Sequence, residues 1–329
     1  MLKGNISSYK KITFSAVIIG AGRIGCFYDR PEDSRRCSTH AHAYYNSERI
    51  SLDGICDIDK NKALKAAKIW KTKAYGSSRE MLSEIKPNIV SIAVPTEYHY
   101  RVFKEVLNYK PELIFMEKPL AANLKDSVRM VKEAERRPVI LVVNYQRQWM
   151  REIIELQKKY KSGKFGNFIS GVVYYNKGFR RNGSHLLHLM ISLLGDVVKA
   201  KILGKKIDYS RKDPTLDIVI EFRNGRVYFV GLDKKCYGIS EIDLFFERGR
   251  VAFQDFGRGI INYDVGYDSY YPEEKVLRPR NSARTSLSLL EDVAANLVEV
   301  LENKARPLVS GRDALDTEKA LTKIIDKIK

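Results

Sequence analysis

A chain of 329 residues exceeds what one hydrophobic core usually organises, so two domains are expected, residues 1–148 and 149–329. With 44% hydrophobic and 30% charged residues, long disorder is excluded, and no apolar run approaches the roughly 18–20 residues of a membrane-spanning helix. A net charge of +18 raises a nucleic-acid or anionic-surface partner, but lysines such as Lys62, Lys65, Lys68, Lys158, Lys161, Lys319 and Lys323 are dispersed through helix-like segments, which argues for solvated faces.

The first apolar run, 12–19, leads directly into Gly20-Ala21-Gly22-Arg23-Ile24-Gly25 and a helix-like stretch. A bare Gly-x-Gly-x-x-Gly is weak evidence, yet a strand before it and a helix after it make a dinucleotide turn. Gly20 permits the bend, Gly22 lets the backbone approach a pyrophosphate, and Gly25 allows close helix–strand packing. The helix N-terminus, with Arg23 and Ile24, offers N–H groups to the phosphates. Segment Tyr28 to Arg36, charged and holding Pro31, is expected as a loop over the strand ends before a helical piece from His40.

Further strands are expected at 50–56, 88–94, 112–116 and 138–144, with helices at 60–70, 78–84, 97–108 and 123–136. This alternation is that of a doubly wound parallel sheet covered on both faces, an α/β Rossmann domain. Asp57 ends the second strand, where a carboxylate accepts from an adenosine ribose and repels a 2′-phosphate, favouring NAD over NADP; capping of the next helix is its other role. After Trp149 come a helix at 150–161, a strand at 168–175, a helix at 183–194 and strands at 197–206, 215–222, 226–232, 239–246 and 249–255. Successive strands joined by turns such as Asn224-Gly225 give an α+β domain with an open, mainly antiparallel sheet. Residues 262–284 lack a clear period and are expected as a surface loop, followed by a helix at 286–303 with Leu290, Val293, Ala294, Leu297 and Leu301 on one face.

Four cysteines, Cys26, Cys37, Cys56 and Cys236, have no Cys-x-x-Cys spacing, so neither a disulfide framework nor a zinc ribbon is expected. The polar first residues lack the apolar core of a signal peptide, and a reducing cytoplasm is the expected location.

Two strand-end motifs sharpen the glycine turn: Pro95-Thr96-x-x-His99 and Glu117-Lys118-Pro119. An ammonium desolvated beside a nicotinamide has its pKa drawn down toward working pH, which suits Lys118 to acid/base work; a surface ion pair is the other outcome. With these motifs the chain resembles the glucose-fructose oxidoreductase and inositol dehydrogenase family, along nearly its whole length and including Arg306-Pro307-Leu308-Val309-Ser310-Gly311-x-Asp313-Ala314.

The resemblance implies an NAD(P)-dependent oxidoreductase with Lys118 and His185 catalytic. It places Gly20, Gly22, Arg23, Ile24, Gly25, Asp57, Pro95, Thr96, His99, Glu117 and Lys118 on the cofactor. Tyr145, Arg147, Lys177, Asn182 and His188 are expected on a sugar, cyclitol or nucleotide-sugar substrate, and a homodimer or homotetramer is implied. Arg181 and His188 stand where the family commonly has aspartates, which keeps a catalytically inactive nucleotide-binding regulator as the alternative. Arg147 suits a substrate hydroxyl or phosphate through its donor fork, or an ion pair between domains. His185 and His188, at i and i+3, share a helix face, but without a carboxylate or thiol they make a poor zinc set; His40 and His42 are expected to touch cofactor or loop, with no metal.

Overall fold

The computed structural model describes residues 13–33, 36–235, 237–284 and 289–328. Two compact units emerge. The first comprises residues up to Glu117, Lys132–Val142 and Leu290–Pro307; the second comprises Lys118–Val131, Val143–Leu289 and Leu308 onward.

The first sheet holds β1 (Phe14–Ile19), β2 (Ile50–Cys56), β3 (Lys73–Tyr75), β4 (Ile89–Ile92), β5 (Leu113–Met116) and β6 (Ile140–Val143) in the order β3-β2-β1-β4-β5-β6. β1 pairs in parallel with both β2 and β4, and β4 and β5 are buried at every position. Strands covered on both faces read as unbroken apolar runs, the mark of a doubly wound sheet. The intervening helices are α1 (His40–Tyr45), α2 (Lys60–Trp70), α3 (Ser78–Ile85), α4 (His99–Leu107) and α5 (Leu124–Glu135). Local chemistry sets their ends. Asp59 caps α2 by accepting from Asn61 and Lys62 backbone N–H groups, Ser77 caps α3, and both helices stop on a lysine in the left-handed region.

The second sheet, order β14-β13-β12-β11-β7-β10-β9-β8, is mostly antiparallel, with β10 parallel to β7. Its strands are β7 (Phe168–Tyr175), β8 (Lys199–Ser210), β9 (Asp213–Phe222), β10 (Gly225–Gly231), β11 (Ser240–Phe246), β12 (Gly249–Gln254), β13 (Gly259–Tyr267) and β14 (Lys275–Arg284). Strict alternation of burial along β11 shows one covered face. The core on that face joins Val173, Tyr175, Ile218, Phe229 and Leu244 to residues of α6 (Arg151–Lys161), α7 (Ser184–Leu194) and a helix at Gly311–Ile325, among them Leu156, Leu187 and Ile324. α8 (Leu289–Leu301) belongs, from Leu290, to the first unit, where Glu291 Oε1 accepts from Asn46 Nδ2 at 2.8 Å. The Gly311–Ile325 helix is α9.

Four features differ from expectation. Residues 262–284 form most of a hairpin, β13 and β14, rather than a loop. Val265, Tyr267 and Leu277 are exposed there, so no apolar alternation marks a strand, and Pro279 is tolerated because β14 lies at the sheet edge. The helix after the glycine turn shrinks to a five-residue π-helical turn, Arg23–Phe27. Beyond it Asp29, fully buried, accepts from Thr39 Oγ1 at 2.6 Å and from the Ser38 N–H, and lies 3.1 Å from His42 Nδ1, drawing the chain toward α1. α9 and β3 are additions. α8 begins at Leu289, with 285–288 outside the described residues, and Leu290, Val293, Ala294 and Leu297 are buried while Leu301 is half-buried. Cys26, Cys37 and Cys56 are buried free thiols; Cys236 lies outside the described residues.

Candidate active site

In the first unit the turn after β1 is shaped by contacts that only glycine permits. Gly20 has φ +108°, and a Cβ there would lie 2.6 Å from the Ala93 carbonyl carbon and oxygen; at Gly25 it would lie 2.3 Å from the Gly20 oxygen. Gly22 is different: a Cβ there would meet only the Ala93 oxygen, at 3.9 Å. Packing therefore requires the outer two glycines and leaves open space over the middle one.

That space is part of a cavity of ≈ 690 Å³ lined by Gly20, Gly22, Arg23, Asp57, Ile58, Arg79, Pro95 and Arg101, among others. Asp57 stands at its wall, Oδ2 accepting from Ala21 N–H at 2.8 Å and Oδ1 from Asp59 N–H at 2.9 Å. Capping of α2 falls to Asp59 instead. A glycine turn with free space at its centre, beside an acceptor carboxylate and in a cavity of this size, fits a dinucleotide.

Of the other residues expected on the cofactor, Ile24 is half-buried in the π-helical turn, and Thr96 begins a 3-10 turn, Thr96–Tyr98. His99 is buried with Nε2 2.9 Å from the Val94 carbonyl oxygen. Glu117 Oε1 lies 3.0 Å from Nε2 of His40, whose ring stacks on Phe115. The two histidines of α1 thus meet Glu117 and the Asp29 loop. Among the described residues no cluster of three His, Cys, Asp or Glu is arranged for a metal.

The second unit brings Lys118 and His185 together. Lys118 Nζ donates to the Arg181 carbonyl oxygen at 2.7 Å, one turn before His185. Burial, and then the Lys118 and Arg147 charges and His188, hold the His185 imidazole well below its usual range, so it is neutral at neutral pH. Tyr145 is buried between the two histidines, stacked on His188 with ring centroids 4.2 Å apart and edge-on to His185 at 5.7 Å. Arg147 donates from Nη2 to Ser240 Oγ at 2.7 Å. Lys177 is exposed in the left-handed region at φ +63°, and Asn182 is half-buried with its N–H on the Gly178 oxygen. The Arg181 side chain turns away to Tyr209, 2.5 Å from its hydroxyl, so that only its carbonyl faces Lys118.

Three residues of this constellation escaped the sequence analysis. Asp213 accepts from the Arg180 and Arg181 N–H groups at 2.7 and 3.0 Å, holding the carbonyl that Lys118 meets. Thr317 Oγ1 lies 2.8 Å from His188 Nδ1, and its neighbour Glu318 accepts from the Leu120 N–H and the Ser127 hydroxyl, each at 2.5 Å. A signal for Glu318 exists, because it sits on the apolar face of α9 with Ala314, Leu321 and Ile325, where a carboxylate has to find donors.

Comparison with known proteins places this geometry. Residues 14–145 match the model of an oxidoreductase family with an NAD-binding Rossmann fold. Myo-inositol 2-dehydrogenase of Thermotoga maritima is 27% identical over 258 residues, covering 71% of this chain and 73% of that protein. The WlbA dehydrogenase of Bordetella pertussis, solved in complex with NADH and UDP-GlcNAcA, has a TM-score of 0.74 at 18% identity over 95% of this chain and 96% of that one. UDP-N-acetylglucosamine 3-dehydrogenase GnnA from Acidithiobacillus ferrooxidans has a TM-score of 0.74 at 15% identity, covering 95% and 97%. Those two structures share the fold. The match at 14–145 takes in the glycine turn and the strands around it, and over those residues the chain is that of an oxidoreductase family with an NAD-binding Rossmann fold.

Proposed function

We propose that the protein is an NAD-dependent oxidoreductase acting on a secondary alcohol of a sugar, cyclitol or nucleotide sugar. The observation that carries this reading is the Lys118 amine held on the Arg181 carbonyl, one turn before the neutral His185 imidazole. The bound nicotinamide supplies the acceptor or donor of hydride. For oxidation, the hydroxyl proton passes to His185, whose Nδ1 has no hydrogen-bond partner among the described residues, while the Lys118 ammonium orients the oxygen that becomes the carbonyl. Tyr145, Arg147, Lys177, Asn182 and His188 are assigned to substrate. The names of the inositol and nucleotide-sugar dehydrogenase relatives support that substrate class.

Residues 1–148 are assigned to the cofactor, with Tyr145 and Arg147 at their end reaching the substrate, and residues 149–329 to substrate and oligomer contacts, as a homodimer or homotetramer. No helix among the described residues is long and apolar enough to cross a membrane. Buried free thiols suit a reducing compartment, and we assign the cytoplasm.

The test is NAD reduction with myo-inositol and UDP-N-acetylglucosamine as probes. Lys118→Ala should lower turnover by at least ~10²-fold while NAD affinity is kept. Unchanged turnover removes Lys118 from the chemistry. NAD that binds and is reduced by neither probe nor related sugars supports the inactive regulator instead.

A further inference from the structure

We propose that Arg147 anchors an anionic group, a carboxylate or phosphate, of the substrate; this rests on the reading of the Lys118 and His185 site above. Arg147 follows β6 by four residues and shares its 3-10 turn, Gln146–Trp149, with the buried Gln148 and Trp149. Its guanidinium has five N–H donors in one plane. Among the described residues its hydrogen-bond partner is the neutral Ser240 hydroxyl, and no carboxylate pairs with it.

The nearest candidates in sequence to the groups around it are committed elsewhere. Glu241, next to Ser240, accepts from the Asp255 N–H at 3.2 Å, and the Asp255 carboxylate pairs with Arg258. The chain nevertheless makes room for the guanidinium: a Cβ on Gly257, at φ +82°, would lie 2.5 Å from Arg147 Nη1. A shaped seat with no counter-ion is unusual for arginine, since desolvating a cation is costly unless an anion or several acceptors meet it. Burial lowers the guanidinium only to about 10, so it keeps its charge at neutral pH.

The position of that charge ties it to the reacting groups. His185 feels Arg147 and Lys118 together, and no carboxylate counters them at the imidazole. Asp213 accepts from the Arg180 and Arg181 amides and also feels the Lys118 charge, and Glu318 is spent on Leu120 and Ser127, so the cation left with a neutral partner is Arg147. A ligand anion against the Arg147 fork would neutralise the guanidinium and fix the sugar beside His185 through two parallel bonds. The net charge of +18 draws such a ligand to the protein.

Isothermal titration of the full chain saturated with NADH tests this with four probes: D-glucose, D-glucuronate, UDP-glucose and UDP-glucuronate. Expected is binding at least about tenfold tighter for D-glucuronate than for D-glucose if the anion is a ring carboxylate, or for UDP-glucose than for D-glucose if it is the diphosphate. In Arg147→Gln that preference should fall to near unity, and in Arg147→Lys, which keeps the charge without the fork, to an intermediate value. Melting temperature and NADH affinity of both variants confirm the fold; if Arg147→Gln does not fold, Arg147→Lys carries the comparison. A preference that survives substitution, equal binding of neutral and anionic probes, or binding of none of them overturns the proposal. Loss of NADH binding by the native chain would instead overturn the oxidoreductase reading.

Discussion

Glu318 accepts the backbone N–H of Leu120, two residues beyond Lys118, at 2.5 Å. The C-terminal helix therefore grips the Glu-Lys-Pro segment from the side opposite in sequence, 198 residues away. Its second carboxylate oxygen takes the Ser127 hydroxyl, so removing the side chain orphans the buried Leu120 N–H, at about 1–3 kcal/mol, while the Ser127 hydroxyl keeps the Asn123 carbonyl oxygen at 3.2 Å.

The same carboxyl makes stability depend on pH. Burial raises it from 4.5 to about 7, against the hydrogen bonds from Ser127 and Leu120. The folded protein then holds this proton more tightly than the unfolded chain, so the contribution is fully present below pH 4.5 and lost as pH rises through about 7. Relative to Glu318→Gln, the native protein should lose about 3 kcal/mol of unfolding free energy across that window. Denaturant titrations of both proteins at a series of pH values check this, and a constant difference would show that Glu318 does not titrate there.

His188 should act in the opposite sense. Burial lowers it from 6.5 to about 4, so its contribution is present above pH 6.5 and lost as pH falls through about 4. His188→Gln should abolish a slope of about 3 kcal/mol over that range. Between pH 4.5 and 6.5 the two groups oppose each other, and each variant should expose the slope of the residue that remains. Thr317 Oγ1 also lies 3.1 Å from the Asp313 carbonyl oxygen, which can only accept; with the hydroxyl proton there, His188 Nδ1 is the donor to Thr317, and nitrogen-15 NMR should find the proton on Nδ1.

Where an element buries one or both faces, periodicity revealed it: β7 falls at 168–175 and α2 at 60–70 as the apolar pattern requires. β3 has three residues, too few for a period, and the β13–β14 hairpin has no covered face to imprint one. α9 carries its own start signal, the capping box of Ser310 with Asp313, inside the stretch 306–314 that resembles the family. At the site, Lys118 and His185 were visible as residue types in a motif. Asp213, Thr317 and Glu318 were not, because each acts through a partner at least 32 residues away, and single-sequence spacing carries no record of such pairs.

The glycine turn separates folding from binding. Gly25→Ala forces a Cβ to 2.3 Å from the Gly20 oxygen and should cost several kcal/mol, in the range of about 1–3 for overpacking or more where backbone must move. Gly22→Ala meets no atom closer than 3.9 Å and should leave the melting temperature within a few degrees, yet its methyl group occupies the approach to a pyrophosphate. NAD affinity of Gly22→Ala should fall at least tenfold, about 1.4 kcal/mol. Retained affinity in that variant would move the phosphates away from this turn.

Asp57 should decide between NAD and NADP. Both of its oxygens already accept backbone N–H groups, from Ala21 and Asp59, which fixes the carboxylate at the cavity wall rather than leaving it to swing away from a ligand. A 2′-phosphate entering there meets a held negative charge, whereas ribose hydroxyls meet an acceptor with spare lone pairs. Lys62, Arg79 and Arg101 line the same cavity with Asp57 and Glu105, and Glu105 pairs with Arg79 at 3.2 Å, so Asp57 is the carboxylate that meets a phosphate beside the glycine turn. Asp57→Asn keeps an acceptor oxygen for the Ala21 N–H and removes the charge. The ratio of NADP to NAD dissociation constants should then fall at least tenfold in a fluorescence titration, mainly through tighter NADP binding. A ratio unchanged by the substitution would mean that the adenosine ribose lies elsewhere in the cavity and that Asp57 serves only to tie the glycine turn to the end of β2.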